Sequence, residues 1–99
     1  MAGIIIHISV GTEKRTEYFS EERIRIGSGE FSDLQIRTPR IESRDTWLEL
    51  EQTDGSYRVV EFDESLGLTI NGKPLRRFIA IADGDSIAIA EKEISFGFF

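Results

Sequence analysis

Residues 68–75 read LTINGKPL, with an asparagine and a glycine standing between two short, largely apolar stretches. Asn and Gly enter the left-handed backbone region at low cost, and a two-residue hairpin turn of type I′ requires that region at both central positions. The stretch therefore predicts a tight β-hairpin with positive φ at Asn71 and at Gly72.

Apolar and polar residues alternate on both sides of this hairpin. Strict alternation places one face of each strand in the core and the other in water. The residues predicted to be buried are Ile4, Ile6, Ile8, Ile26, Leu48, Leu50, Ile87, Ile89 and Phe96. Glu49 and Glu51 fall in the opposite phase of a strand that begins at Thr46, so they are predicted to face water.

Turn signals separate these strands at short intervals, among them Asp54-Gly55 and Asp83-Gly84-Asp85. No segment carries a convincing helical stripe, and many short strands are typical of an all-β sandwich or a partly open barrel. We predict a single domain over residues 1–99. Its strand-like end, EISFGFF, has no tail, which favours a domain taken from a longer protein.

Composition excludes several classes of function. The 99 residues carry a net charge of −6, which weighs against a nucleic-acid partner because phosphate backbones demand a basic face. The chain has no cysteine, which fits a reducing compartment and predicts a cytoplasmic location. Its apolar runs are far shorter than the roughly 20 residues that span a bilayer, so no membrane contact is expected.

Metal and cofactor sites are not expected. His7 is the single histidine, it lies in the polar phase of its strand, and the chain offers no cysteine to join it in a metal site. The acidic residues around Asp83 and Glu91 have no EF-hand spacing. No nucleophile, base and orienting residue stand together, so an enzyme is not predicted.

Four segments, in this order, resemble the forkhead-associated (FHA) domain family. They are IGSGEFSDLQI (residues 26–36), TPRIESRDTWLEL (38–50), SLGLTINGKPL (65–75) and LRRFIAIADGDSIAIAEKEISF (75–96). The resemblance implies a two-sheet β-sandwich of about eleven short strands. It also implies that loops at one end of the sandwich recognise phosphothreonine peptides through charge-assisted hydrogen bonds.

The same resemblance implies that the scaffold is kept while most of the recognition residues are replaced. The positions it assigns to the phosphopeptide site are Ser28, Glu42, Ser43, Arg44, Ser65 and Leu66. The family's arginine falls on Ser28, its loop serine on Glu42, and its peptide-gripping asparagine on Leu66. A lost hydrogen bond to a charged group costs roughly 1.5–3 kcal/mol, and a carboxylate near a phosphate costs about 1–4 kcal/mol more. Phosphopeptide binding in the family's pose is therefore expected to be abolished or very weak.

A candidate partner face lies beside the same loop. Trp47 falls in the outward phase of its strand, and tryptophan is favoured in binding hot spots. Arg37, Arg40 and Arg44 form a basic rim next to it. On this interpretation, Trp47→Ala weakens partner binding by about 1 kcal/mol or more.

The sequence thus favours a non-catalytic, FHA-like protein–protein interaction module that does not depend on phosphorylation. Its partner is a protein, which includes a segment of its own larger protein. One alternative is a phosphothreonine reader with an altered pocket, in which an arginine reaches between the Ser28 and Ser65 loops. A second alternative is a structural or oligomerising domain that exposes a sheet edge or the Trp47 face.

Overall fold

The computed structural model describes residues 3–10, 12–29, 32–36, 46–89 and 92–98. Within these ranges the chain forms eleven strands and one short 3₁₀ turn, Glu64–Leu66. The strands are β1 Ile4–Val10, β2 Glu13–Phe19, β3 Arg23–Gly27, β4 Leu34–Gln35, β5 Leu48–Thr53, β6 Ser56–Phe62, β7 Thr69–Ile70, β8 Lys73–Pro74, β9 Ala80–Ile81, β10 Ser86–Ile89 and β11 Lys92–Phe98. The predicted all-β fold without a substantial helix is confirmed.

Two sheets form the sandwich. The six-stranded sheet has the order β2-β1-β11-β10-β7-β8, and the five-stranded sheet has the order β4-β3-β5-β6-β9. The first and last strands are antiparallel neighbours, with Ile6 opposite Phe96. In the second sheet β3 pairs in parallel with β4 and antiparallel with β5.

The core lies between the two sheets and follows the predicted alternation. Of the residues predicted to be buried, all whose side chains are described are buried, namely Ile4, Ile6, Ile8, Ile26, Leu48, Leu50, Ile87 and Phe96. The side chain of Ile89 lies outside the described part. Each fully buried aliphatic side chain contributes about 1.5–3 kcal/mol, so this inner face holds the sandwich together.

The Asn71-Gly72 turn joins β7 to β8 as predicted. Its φ angles are 50° at Asn71 and 84° at Gly72, and Ile70 pairs with Lys73 across the two-residue loop. The Asn71 side chain also donates to Asp85 at 2.9 Å. The hairpin is therefore fixed both by its own turn chemistry and by the loop that precedes β10.

The outer face of the five-stranded sheet carries a row of alternating charges. Arg23 lies opposite Glu51, and Glu51 lies opposite Arg58 on the next strand. The guanidinium nitrogens lie 2.8 Å and 2.9 Å from the Glu51 carboxylate oxygens. The expectation that Glu49 and Glu51 face water is only partly correct, because they lie on the outer face but the arginines leave their side chains only 17% and 26% exposed.

This charge row predicts a pH-dependent loss of stability. Hydrogen bonding by Arg58, reinforced by the charge of Arg23, holds the pKa of Glu51 below its ordinary value of 4.5. A carboxyl whose pKa is lowered by folding stabilises the fold above its unfolded pKa, and that contribution is lost as the pH falls below about 4.5. We expect Glu51→Gln to be less stable than the wild type at pH 7, and we expect the difference to be smaller at pH 3.

The test is urea denaturation of both proteins at the two pH values. Glu93→Gln, which neutralises an exposed carboxylate on the other sheet, serves as the control. An equal gap between wild type and Glu51→Gln at both pH values would show that the charge of Glu51 does not set the effect.

Candidate functional site

The turn after β3 contains the first position of the site implied by the resemblance. Ser28 follows Gly27, the last residue of β3, and is half-buried. Its backbone carbonyl accepts a hydrogen bond from the Gln35 side-chain amide at 3.2 Å. The Asp33 carboxylate accepts the Arg25 backbone N–H at 2.8 Å. Neighbouring residues thus order the turn, but the position to which the resemblance assigns the family's arginine brings no positive charge.

The segment after β6 contains the second position, and its donors point to a carboxylate within the segment. The Ser65 hydroxyl donates to Asp63 Oδ1 at 2.6 Å, and the Ser65 backbone N–H donates to the same oxygen at 3.0 Å. Asp63 is the N-cap of the 3₁₀ turn, a position that aspartate favours because its side chain accepts such N–H groups. Gly67 ends the turn with a φ of 63°.

Leu66 contributes to packing rather than to polar recognition. Its side chain is half-buried and packs against the hydrophobic core, and Leu68 two residues later is 4% exposed. An aliphatic side chain cannot donate or accept a hydrogen bond, so Leu66 cannot grip a peptide backbone as an asparagine does. Burial of the Leu66 and Leu68 side chains anchors the segment instead.

Arg77 binds the flank of this segment. Its guanidinium lies 2.6 Å from the Glu61 carboxylate and 3.3 Å from that of Glu64, and it stacks 5.1 Å from the centre of the Phe62 ring. The hydrogen bond to Glu61 raises the pKa of Arg77 above its ordinary value. This arginine is therefore engaged with two carboxylates of the protein itself.

A groove of about 280 Å³ lies beside the segment, at the end of the five-stranded sheet. It is lined by Arg25, Thr46, Trp47, Glu49, Glu61, Phe62 and Asp63. Arg25 is directed toward Glu49, with 3.9 Å between Arg25 Nε and Glu49 Oε1. The groove therefore combines one arginine with three carboxylates and is acidic on balance.

The expectation that Trp47 faces outward is wrong. Its side chain is 0% exposed, and that of Leu48 is also 0% exposed, so two successive residues point into the core. The strand begins at Leu48 rather than Thr46, and Trp47 lies in a bend before it, where the alternation of a strand does not apply. The Trp47 backbone bonds to Ile26 at 2.8 Å and to Asp63 at 2.9 Å, which fixes this inward position.

Trp47 is consequently not available to a partner at the surface. Its indole Nε1 is buried and has no hydrogen-bond partner among the described residues. The other predicted residues near it, Arg37, Arg40, Glu42, Ser43 and Arg44, lie outside the described ranges. Their roles in the site and in the basic rim therefore stay predictions.

Phe78 is a surface feature that the sequence pattern did not indicate. Its side chain is 64% exposed, and its backbone has a φ of 65°, a left-handed value that is unusual for a bulky residue. The Arg58 guanidinium lies 5.4 Å from the centre of the ring. No local propensity favours a left-handed phenylalanine, so only the tertiary structure shows this position.

Among the residues that the structure describes, no group of three or more His, Cys, Asp and Glu side chains is placed to hold a metal ion. None of the helical structure in these ranges is long and apolar enough to cross a membrane.

Comparison with known proteins gave one family and a consistent set of folds. The FHA domain family matches residues 24–90. No curated protein matches the chain. Among solved structures, the Rv0020c FHA domain has a TM-score of 0.81 at 20% identity, covering 100% of this chain and 95% of the other.

Two other solved structures are similar. The yeast Dun1 FHA domain, in complex with a doubly phosphorylated peptide derived from Rad53 SCD1, has a TM-score of 0.80 at 15% identity, covering 98% of this chain and 74% of the other. The cytoplasmic domain of the type III secretion sorting platform protein PscD from P. aeruginosa has a TM-score of 0.79 at 18% identity. The match covers 97% of this chain and 79% of the other. At such identities the similarity shows the fold alone.

The family match extends over more than half of the chain, and the strand order forms the two-sheet sandwich that the resemblance implied. The chain belongs to the FHA domain family.

Proposed function

We propose that this FHA domain is a non-catalytic protein–protein interaction module that binds its partner independently of threonine phosphorylation. The hydrogen bonding of Ser65 carries the proposal. A phosphate in the family's pose needs donors from this segment, and both the hydroxyl and the backbone N–H of Ser65 are directed at Asp63. A phosphopeptide must therefore displace a carboxylate that already serves as the cap of the turn.

Electrostatics add to this competition. A carboxylate about 4 Å from a phosphate charge costs about 1 kcal/mol in water and about 4 kcal/mol at an intermediate dielectric. Ser28 supplies no compensating cation, and Arg77 is already paired with Glu61 and Glu64. Glu42, whose charge would add to the repulsion, lies outside the described ranges.

The partner that we propose is a folded protein surface, on another chain or elsewhere in the same protein. A reducing compartment, such as the cytoplasm, is part of the proposal because the chain has no cysteine.

Calorimetric titration with paired peptides tests the proposal. A library of phosphothreonine peptides and its unphosphorylated counterpart are titrated into the wild-type domain. We expect equally poor binding of both libraries, because the donors of Ser65 are occupied and no arginine replaces the family's cation at Ser28. Micromolar binding that requires the phosphate would refute phosphorylation independence.

The variant Asp63→Asn tests the effect of the negative charge at the N-cap of the 3₁₀ turn. Asparagine caps helices as well as aspartate does, so this variant should keep its fold while losing the repulsion. We expect a rise in phosphate-dependent binding in Asp63→Asn and none in the control Glu93→Gln, which removes a carboxylate on β11. If Asp63→Asn behaved like Glu93→Gln, the Asp63 carboxylate would not be the competing group.

A further inference from the structure

The strands at the edges of the two sheets differ in length. β4, β8 and β9 have two residues each, whereas β2 has seven and pairs only with β1 among the described strands. In an antiparallel ladder, alternate residues of an edge strand direct their backbone N–H and C=O groups away from the neighbouring strand. A long row of such groups is a template for pairing with another strand. β2 is the longest edge that the structure describes, and its Lys14, Arg15, Thr16 and Tyr18 side chains are exposed.

Two opposite charges lie on the inner face of β2. Arg15 pairs with Ile8 of β1, and Glu17 pairs with Ile6. Both isoleucines are buried, so the two charged side chains lie on the side of the second sheet. The Arg15 guanidinium donates to the Gln35 carbonyl of β4 at 2.8 Å, which ties the edges of the two sheets together. Neither Arg15 nor Glu17 forms an ion pair with any described residue.

The charges of β2 balance one another. The strand contains two basic and two acidic residues, in a chain whose net charge is −6. Net charge keeps copies of a protein apart, so a neutral edge is where two copies approach with the least repulsion. Charged edges deter pairing with an arbitrary strand, but a strand of complementary charge is not deterred.

The order of these charges is complementary to the strand itself. A symmetric dimer pairs β2 antiparallel with its own copy about a twofold axis perpendicular to the sheet. An axis at Arg15 sets two arginines directly opposite each other, and an axis at Glu17 sets two glutamates opposite each other. An axis at Thr16 sets Arg15 of each copy opposite Glu17 of the other. Opposite charges directly across two strands stabilise the pairing, and like charges destabilise it.

The outer face of the strand agrees with the same register. With the axis at Thr16, Lys14 of each copy lies opposite Tyr18 of the other, whose side chain is 67% exposed. An ammonium group close to the face of an aromatic ring is attracted by the ring. Both faces of β2 therefore favour the axis at Thr16.

We propose that β2 pairs with β2 of a second copy of this chain, antiparallel and centred on Thr16, so that the two six-stranded sheets become one sheet of twelve strands. Backbone hydrogen bonds supply the affinity, and the two Arg15–Glu17 pairs fix the register. A single strand edge is smaller than the roughly 800 Å² per partner of a standard interface, so the dimer is a weak one. The inference does not rest on the proposed function, because the Ser65 segment and β2 are separate parts of the chain.

Sedimentation equilibrium of the 99-residue chain, from micromolar to millimolar concentration, tests the dimer. We expect the wild type to follow a monomer–dimer equilibrium. Arg15→Glu sets two glutamates opposite each other at two places, so it should weaken dimerisation at least about tenfold. Arg76→Glu makes the same change at an exposed position outside β2 and should leave dimerisation unchanged.

A mixture of two variants provides a test that a loss of folding cannot imitate. Arg15→Glu alone and Glu17→Arg alone each face like charges across the axis. One copy of each faces only opposite charges, so an equimolar mixture should associate more tightly than either variant by itself.

Single cysteines test the register, because the chain has none of its own. Directly opposed residues of antiparallel strands have Cα atoms about 4.5–5.5 Å apart, a separation that a disulfide can bridge. Thr16→Cys should therefore form a disulfide-linked dimer in air. Lys14 is also exposed, but the two copies of Lys14 lie about 13 Å apart in this register, so Lys14→Cys should cross-link far more slowly.

Three results would overturn the proposal. These are a wild type that stays monomeric at millimolar concentration, equal self-association in wild type and Arg15→Glu, and equal cross-linking of Thr16→Cys and Lys14→Cys. Failure of the proposed function would look different, because it would appear as phosphate-dependent binding of a peptide and would not change the sedimentation of the free chain.

Discussion

Replacing Trp47 with alanine should lower the free energy of unfolding by about 3–5 kcal/mol, the usual cost of removing a large aromatic side chain from a core. Trp47 is the largest fully buried side chain described, and its backbone links β3 to the segment that follows β6. A domain of this size has a total stability of roughly 5–15 kcal/mol, so the variant should be marginal. Urea denaturation at pH 7 measures the loss.

Two companion variants show whether burial is the cause. Trp47→Phe keeps most of the apolar volume and removes an indole N–H that is unpaired among the described residues. A buried unpaired donor costs about 1–3 kcal/mol, so this change should cost far less than Trp47→Ala. Tyr18→Ala, at a position that is 67% exposed, should change stability by no more than about 0.5 kcal/mol. A stability loss below about 1 kcal/mol in Trp47→Ala, together with lost partner binding, would restore the surface interpretation.

The combined change Ser28→Arg, Glu42→Ser and Leu66→Asn should create phosphothreonine binding. It reinstates a cation and two hydrogen-bonding side chains at positions where the resemblance places them. Two charge-assisted hydrogen bonds contribute roughly 3–6 kcal/mol, which corresponds to a gain of about 10²–10⁴-fold in affinity. Calorimetric titration of the phosphothreonine library into the triple variant and the wild type measures the gain.

The triple variant needs a control for its own stability. Leu66 packs against the core, so Leu66→Asn removes apolar contacts and should cost some stability. The double change Ser28→Arg and Glu42→Ser leaves that contact intact and should show a smaller gain in affinity. If the triple variant folded but bound phosphorylated and unphosphorylated peptides equally, the loops would not retain the family's geometry.

Local rules predicted most of the fold. Alternation identified the buried face of the long strands, because burial of one face of a strand is a periodic property of the chain. The Asn71-Gly72 turn was predicted with its backbone angles, because few residue types accept them. Neither inference needed knowledge of which strands pair.

The same rules failed where tertiary structure overrides the alternation of buried and exposed side chains. A bend before β5 turns Trp47 inward, and no neighbouring residue in the sequence indicates that the strand begins at Leu48. The register of β5 and β6 shifts between Glu49 and Leu50, which sets Glu49 opposite Glu61 and Leu50 opposite Val59. The charge row of Arg23, Glu51 and Arg58 follows from pairing across three strands, which the sequence alone does not specify.

The resemblance places the family's arginine at Ser28 and its asparagine at Leu66, and these two assignments stay predictions. The capture of the Ser65 donors by Asp63 could not be predicted, since it depends on the 3₁₀ turn that brings a hydroxyl within 2.6 Å of a carboxylate. The left-handed conformation of Phe78 was equally hidden, because it is imposed by its bonds to β6.

The position of β11 has a consequence for synthesis on the ribosome. Although β11 is the last of these eleven strands to be made, it lies between β1 and β10 inside the six-stranded sheet, with Ile4 opposite Phe98. The nascent chain therefore cannot close this sheet until β11 has left the exit tunnel. Until then β1 and β10 lack β11 as the strand between them, and their apolar faces are only partly buried. Contacts that join the two ends of a chain also slow folding, because the entropy of closing the long loop is lost before the strands pair.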